Sequence, residues 1–214
     1  MARERIAPVT SLVTRPTPRM KYRTILLLGA PGAGKGTQGK ILGTIPNFFH
    51  CACGDVFRNL RIDDPMGRLF IEYAGRGQLV PDEQTIALWR KNIQATSLNG
   101  AFQPERDWLV LDGLPRNPHQ VEMLRETLDV RAVFWLTCSD LDKMVERLQR
   151  RALRENRLDD ANLDVIKQRL EVYKLETKSV LECYDPKLVH EIDSTQSPLE
   201  VLREILDLVA KLPK

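Results

Sequence analysis

The chain has 214 residues, a hydrophobic content of 43% and a formal net charge of +3. No stretch approaches the ~20 consecutive apolar residues of a membrane-spanning helix, so the composition predicts a soluble protein without a membrane partner. Residues 1–22 carry a net charge of +4, and subtracting +4 from +3 leaves −1 for the rest, which argues against nucleic-acid binding by the body of the protein.

Residues 1–22 are predicted to be a flexible basic tail, because three prolines oppose a continuous helix there. An organelle-targeting segment and a nucleic-acid-binding tail are the alternatives for this stretch. The chain has four cysteines, Cys51, Cys53, Cys138 and Cys183. Their spacing matches neither a secreted disulfide framework nor a paired zinc site, and we expect a cytoplasmic protein.

Apolar runs that alternate with helical patterns predict an α/β fold, in which a five-stranded parallel sheet is flanked by helices. The predicted strands are residues 24–28, 47–51, 107–111, 131–137 and 187–192. The predicted helices lie near residues 35–44, 55–62, 66–75, 82–97, 118–128, 140–152, 162–184 and 198–211. We interpret residues 52–80 as a helical insertion, and residues 152–161 as either a solvated turn or a closing lid.

The most informative motif follows the first predicted strand and has the spacing Gly29-x-x-x-x-Gly34-Lys35. This spacing is typical of a phosphate-binding loop, in which glycines let successive backbone N–H groups converge on a phosphate. The helix that follows adds its free N-terminal donors, and Lys35 supplies a cation for the outer phosphates. Gly36 occupies the position of the usual magnesium-binding hydroxyl residue, and Thr37 follows it.

A second motif, Asp112-Gly113-Leu114-Pro115-Arg116, ends a predicted buried strand. An aspartate at the carboxyl end of such a strand stands where α/β sheets place ligand-binding groups, so we expect Asp112 to hold Mg²⁺ directly or through water. A capping role for the next helix is the structural alternative.

Arginines form a third set, and phosphoryl transfer depends on such groups because charge spreads over three phosphate oxygens. Arginine remains protonated and binds phosphate through a planar fork. The candidate arginines are Arg58, Arg116, Arg147, Arg151, Arg157 and Arg169.

Taken in order, these motifs resemble those of the adenylate kinase family of nucleoside monophosphate kinases. The similar motifs are the phosphate loop, Gly54-Asp55-x-x-Arg58, Gly77-x-Leu79-Val80-Pro81-Asp82, Asp112-Gly-x-Pro-Arg116, Arg157-x-Asp159-Asp160 and Ile166-Lys-x-Arg169-Leu-Glu-x-Tyr173. The resemblance covers about residues 22–211. It implies a P-loop NTPase fold for residues 23–214, with an NMP-binding insertion at about 52–80 and a short lid at about 151–161. So short a lid leaves no room for a structural metal.

The resemblance also implies two nucleotide sites, Mg²⁺ as the cofactor and a set of catalytic groups. The implied ATP-binding residues are Gly32, Ala33, Gly34, Lys35, Gly36, Thr37, Arg147, Arg151 and Gln196. The implied AMP-binding residues are Cys53, Arg58, Gln78, Leu79, Val80, Gly113, Leu114, Pro115, Arg116, Gln120, Arg157 and Arg169. The implied catalytic residues are Lys35, Arg116, Arg151, Arg157, Arg169, Asp159 and Asp160, with Asp112 ordering Mg²⁺ through water.

The acceptor nucleotide depends on fewer residues. Gln120 occupies the position of the glutamine that reads adenine in the family, and an amide can pair with an adenine edge. Two features depart from this pattern: Ala52-Cys53 replaces Ser-Thr, and Arg116-Asn117 is similar to UMP/CMP kinases. The sequence predicts a monomer that transfers the ATP γ-phosphoryl group reversibly to AMP. The alternatives are a UMP/CMP kinase of the same fold and an inactive nucleotide-binding regulatory protein.

Overall fold

The computed structural model describes residues 20–155, 157, 160 and 162–213. Within them, five parallel strands form one sheet in the order β2-β3-β1-β4-β5. The strands are β1 Tyr22–Gly29, β2 Phe48–Ala52, β3 Trp108–Asp112, β4 Leu128–Thr137 and β5 Val189–Asp193. The predicted α/β class and five-stranded parallel sheet are confirmed. The predicted basic tail lies mostly outside the described residues, and its last residue, Tyr22, belongs to β1.

Helices follow the strands along the chain, with three of them between β2 and β3. The helices are α1 Lys35–Leu42, α2 Cys53–Arg58, α3 Pro65–Gly75, α4 Asp82–Leu98, α5 Pro118–Leu124, α6 Leu141–Glu155, α7 Leu163–Val172 and α8 Pro198–Val209. In the part of the chain that the structure describes, no helix combines the length and apolarity needed to cross a bilayer.

Proline and a capping side chain define the starts of α3, α5 and α8. The caps are Asp64, Asn117 and Ser197, each of which accepts a hydrogen bond from a backbone N–H of the first turn. The fixed φ of proline suits the first helical position, whose N–H has no partner within the helix. These local signals therefore set the start of each helix independently of its packing.

The central strand β1 is buried on both faces, as its continuous apolar run predicts. Because successive side chains of a strand point to opposite faces, Ile25 and Leu27 pack in one cluster with residues of α1 and α8. Leu26 and Leu28 pack on the other face with residues of α4 and α5. The helices thus cover both sides of the sheet and leave its carboxyl edge as the place for a site.

Strand β4 begins at Leu128, three residues before the predicted strand, and α5 ends earlier than predicted. Asp129 and Arg131 hide this part of the strand in the sequence, because their charges interrupt the apolar pattern. The two side chains form an ion pair of 2.7 Å. They lie beside an irregularity at which pairing with β1 steps from Thr24 to Ile25. Such bulges accommodate an extra residue in a strand.

The predicted helix over residues 162–184 is not continuous. It changes from α7 to a π-helical segment at Tyr173–Thr177 and then to a 3₁₀ segment at Lys178–Cys183. Ile166 and Leu170 pack against α6, whereas Val180 packs in the cluster of α4 and α5. A local change of helical pitch lets one segment serve two clusters. The predicted loop at 152–161 is also shorter, since α6 extends to Glu155.

The packing of α3 gives a testable difference between its two glycines. A Cβ at Gly67 would lie 2.3 Å from the backbone oxygen of Arg61, whereas a Cβ at Gly75 would meet nothing within 4 Å. We expect Gly67→Ala to lower the free energy of unfolding by about 1–3 kcal/mol through overpacking. Gly75→Ala, the matched control, should be neutral or stabilising by up to about 1 kcal/mol. Urea denaturation of both variants measures this, and equal effects would contradict the packing.

Candidate functional site

A cavity of about 880 Å³ lies at the carboxyl edge of the sheet, where β1, β2 and β3 end. Every predicted ATP-binding and AMP-binding residue lines this one cavity, with the exception of Leu114. The sheet explains this convergence, because β1 lies between β3 and β4 and so marks the point where the strand order reverses. Asp112, the last residue of β3, pairs in register with Leu27 of β1.

The phosphate loop turns from β1 into α1 through glycines with positive φ. A Cβ at Gly29 would lie 2.4 Å from the Leu136 oxygen, and Gly34 at the start of α1 has φ 94°. Lys35 reaches back over the loop, and its Nζ donates to the oxygens of Gly29 at 2.7 Å and Ala30 at 3.0 Å. Because an ammonium has three donors, one remains for a ligand.

Positive charge is concentrated around Lys35. Burial lowers the pKa of Lys35 to about 8; the Asp112 carboxylate opposes this shift, and three arginines, Arg116, Arg151 and Arg169, add to it. All four cationic side chains line the same cavity, so they are available to one bound anion. A negatively charged ligand would relieve their mutual repulsion.

Asp112 faces the phosphate loop, since a Cβ at Gly36 would lie 3.6 Å from its Oδ2. Burial alone would raise the pKa of Asp112, but the nearby His50 and Lys35 outweigh it and hold the pKa below its usual range. His50 Nε2 lies 3.9 Å from Asp112 Oδ2, too far for a hydrogen bond. An ionised carboxylate that faces the phosphate loop offers the hard oxygen that Mg²⁺ prefers.

The described residues could supply only part of a magnesium coordination shell. No group of three or more His, Cys, Asp or Glu side chains is placed to hold a metal among the residues that the structure describes. The residues at Asp112 therefore fit an ion that keeps most of its waters and binds substrate oxygens, which is the usual mode for Mg²⁺ at phosphate sites.

The side of the cavity that α6 and α7 form is organised by a buried carboxylate. Asp160 is fully buried. It accepts a hydrogen bond from Arg151 Nε at 2.6 Å and forms an ion pair with Arg169. Asp160 does not line the cavity. It contacts the two arginines that do, and its predicted catalytic role stays a prediction. Asp159, predicted beside it, lies outside the described residues.

A second carboxylate joins the two sides of the cavity. Asp55 Oδ1 accepts from Arg58 Nη1 at 3.1 Å in α2 and from Arg157 Nη2 at 3.2 Å. The second of these contacts spans the predicted insertion and the predicted lid. The Arg58 guanidinium also lies 5.7 Å from the centre of the Phe70 ring. The sequence motif contained Asp55 without assigning it a role; its position among arginines was the available signal.

The predicted base-reading residue, Gln120, already has two fixed partners. Its Oε1 accepts from the Arg116 backbone N–H at 2.8 Å, and its Nε2 donates to Asp82 Oδ1 at 2.6 Å. Gln120 is only 1% exposed but still lines the cavity. An amide has two donors and two lone pairs, so one of each remains for a base.

Asp82, at the start of α4, collects donors from the first turn of α5. Asn117 Nδ2 lies 3.1 Å from both of its oxygens, and His119 Nδ1 lies 2.9 Å from Oδ2. Partial burial alone would raise the pKa of Asp82, but the hydrogen bonds from His119, Gln120 and Asn117 outweigh it and lower the pKa. Sequence reasoning included Asp82 in a motif but missed this contact, which joins residues 35 or more positions apart.

Two other predicted residues, Leu114 and Cys53, are buried. Leu114 is fully buried in the core and does not line the cavity, so its AMP contact stays a prediction; its peptide bond to Pro115 is cis. Cys53 does line the cavity, but burial raises the pKa of its thiol to about 11. Cys53 therefore presents a neutral, weakly polar surface to the cavity.

Contacts between elements that are distant in sequence close the end of the cavity near α8. Arg147 Nη1 donates to the Ser194 oxygen at 2.9 Å, which ties α6 to the loop after β5. Gln38 Nε2 donates to the Pro198 oxygen at 3.0 Å, which ties α1 to α8. Gln196 lines the cavity in the same loop. These bonds fix the wall against which a nucleoside at the phosphate loop would rest.

Comparisons with known proteins agree with this geometry. The family model described as adenylate kinase matches residues 27–189, well over half of the chain. An adenylate kinase of Nocardioides is 37% identical over 89% of this chain and 98% of its own length. One from Synechococcus is 35% identical over 85% and 93%. A UMP-CMP kinase of Bos taurus is 30% identical over 90% and 99%.

The Asp82–His119 contact predicts a pH-dependent stability. The hydrogen bond to Asp82 raises the pKa of His119 above its ordinary value of 6.5. A raised pKa in the folded state contributes stability that is complete below the unfolded pKa and is lost as pH rises through the folded pKa. The wild type should therefore be more stable than His119→Gln by a larger margin at about pH 5.5 than at about pH 8.5.

Thermal unfolding of the wild type and of His119→Gln at both pH values measures this margin. Glutamine can still donate to Asp82 but does not titrate, so it isolates the charge. Asp82 stays ionised over the whole range, because its own pKa is lowered. An advantage that is equal at the two pH values would show that the histidine charge contributes nothing.

Proposed function

Because the chain belongs to the adenylate kinase family, we propose that it transfers the γ-phosphoryl group of ATP reversibly to AMP, giving two ADP. The observation that best supports this reaction is that both predicted nucleotide sites open into one cavity. Lys35, Arg116 and Arg169 line this cavity together, and the two arginines contribute to the lowered pKa of Lys35. Donor and acceptor phosphates can therefore meet without crossing bulk water, and the transferring group can be surrounded by cations.

The proposed transfer breaks the bond between the γ-phosphorus and the oxygen that bridges it to the β-phosphate. It forms a bond from the γ-phosphorus to an oxygen of the AMP phosphate. That acceptor oxygen is already ionised, so no strong general base is required. The protein contributes position and charge, because the transition state spreads negative charge over three equatorial oxygens.

Each charged group has a place in this scheme. The loop N–H groups and Lys35 hold the donor phosphates, while Arg58 and Arg116 hold the acceptor phosphate. Arg151 and Arg169 bind the transferring group from the lid side. When bound, Mg²⁺ neutralises phosphate oxygens, and Asp112 is the residue that would hold it through its waters.

Closure of the lid and insertion would keep water from accepting the phosphoryl group. The Asp55 contact with Arg157 supports this idea, because it joins one residue from each segment across the cavity. The two segments as moving parts, a monomeric state and a cytoplasmic location remain part of the proposal.

The acceptor is the part of the proposal that needs a direct assay. Steady-state rates with ATP, Mg²⁺ and a panel of AMP, UMP and CMP should give a kcat/KM for AMP that exceeds the others by about tenfold or more. A UMP-CMP kinase is among the relatives. The asparagine at position 117 also resembles the motif of that group. A kcat/KM for UMP or CMP that exceeds that for AMP would reassign the acceptor within the same fold.

Charge removal at the centre of the cavity tests the chemistry. Lys35→Ala and Arg116→Ala should each lower kcat by about 100-fold or more, because each removes a cation at the transferring phosphates. Lys91→Ala and Arg125→Ala are matched controls on the exposed surface outside the cavity and should keep wild-type rates. Circular dichroism verifies that all four variants fold.

Two results would count against this scheme. If Lys35→Ala or Arg116→Ala kept wild-type rates, the role given to that residue would be wrong. If the wild type bound ATP in calorimetry without producing ADP from ATP and AMP, the chain would instead be a nucleotide-binding protein without turnover.

A further inference from the structure

The contacts of Gln120 determine which end of its amide is oxygen and which is nitrogen. The Arg116 backbone N–H, at 2.8 Å from Oε1, can only donate. The Asp82 carboxylate, at 2.6 Å from Nε2, can only accept when it is ionised. Turning the amide over would place two donors face to face and two acceptors face to face. The amide is therefore held in one orientation by partners of opposite type.

Asp82 is itself held in place by the start of the next helix. Asn117 and His119 both contact its oxygens, and Asn117 also caps α5 by accepting from the Gln120 backbone N–H at 2.8 Å. The carboxylate and the amide that it orients are thus attached to the same helical turn. A movement of α4 relative to α5 would have to break several hydrogen bonds at once.

The orientation of the amide matters for recognition of a base. Adenine carries a ring-nitrogen acceptor next to an exocyclic amino donor, and a 6-oxo purine carries a ring N–H donor next to a carbonyl acceptor. An amide that presents its donor and acceptor in one order complements only one of these edges. A freely turning amide could complement both.

We propose that Asp82 is a positioning residue for acceptor specificity, which fixes the Gln120 amide so that the site accepts adenine and rejects 6-oxo purines. This inference rests on the proposed function, since it requires the acceptor base to meet Gln120. Asp82 does not line the cavity. Its effect on the base is exerted through Gln120, whose free donor and acceptor the fixed orientation directs.

The test compares AMP with IMP as acceptors for ATP. In the wild type, kcat/KM for AMP should greatly exceed that for IMP. Asp82→Asn replaces an obligate acceptor by a group that can donate or accept, and should lower the AMP-to-IMP ratio by about tenfold. The ratio is measured on one enzyme preparation, so a partly unfolded sample changes both rates equally and leaves the ratio unaffected.

Two further variants sharpen the comparison. Glu83→Gln removes the neighbouring charge in the first turn of α4 from an exposed side chain, and should leave the ratio unchanged. Asp82→Glu keeps the carboxylate but moves it by one methylene group, and should lower the ratio less than Asp82→Asn. If Asp82→Asn does not fold, an Asp82→Glu ratio equal to that of the wild type overturns the proposal.

The outcomes distinguish a failure of the role given to Asp82 from a failure of the proposed function. A wild type that prefers AMP, together with an Asp82→Asn variant of the same ratio and lower thermal stability, overturns the inference and leaves the proposed function intact. A wild type that does not prefer AMP over IMP overturns the adenine assignment and the inference with it. A lower ratio in Asp82→Asn and an unchanged ratio in Glu83→Gln is the expected result.

Discussion

The concentration of positive charge at the carboxyl edge of the sheet is the constraint that organises the rest of the molecule. The lowered pKa of Lys35 reflects first its burial and then its cationic neighbours. Three carboxylates make the arrangement tolerable in the folded protein. Asp160 contacts Arg151 and Arg169. Asp55 lies between the two sides of the cavity, and Asp112 faces the phosphate loop. Each helix that carries an arginine into the cavity is therefore tied to an acidic partner.

The fold was predictable where one local cause determines an element. The uninterrupted apolar run of β1 predicted a buried parallel strand, and the helical pattern from residue 198 predicted the start of α8. The early start of β4 was not predictable, because Asp129 and Arg131 become compatible with a strand only through their mutual ion pair and a bulge. The break after α7 was equally hidden, since it depends on two clusters that meet only in the folded chain.

Site residues were likewise predictable where a local cause fixes them, and not where contacts with distant residues do. Residues that approach phosphate were predictable, because the chemistry demands glycine, lysine or arginine at fixed spacing, and the structure brings them to one cavity. The contacts through which some residues hold another side chain in place were not predicted. Asp82 and Asp55 have partners far away in sequence, and Asp160 points at arginines rather than at the cavity. Sequence spacing cannot report such contacts, since they arise from the relative placement of helices.

The cysteine at position 53, which lines the cavity, connects these observations. The thiol of Cys53 is neutral, because burial raises its pKa to about 11, and a thiol is a weak hydrogen-bond donor. Cys53 therefore gives this wall of the cavity little polar capacity to read a base. In the proposed reaction, discrimination between bases then falls more heavily on the buried amide of Gln120, and an amide discriminates only if it cannot turn over. Asp82 and the Arg116 backbone N–H hold the Gln120 amide in one orientation, which is what such discrimination requires.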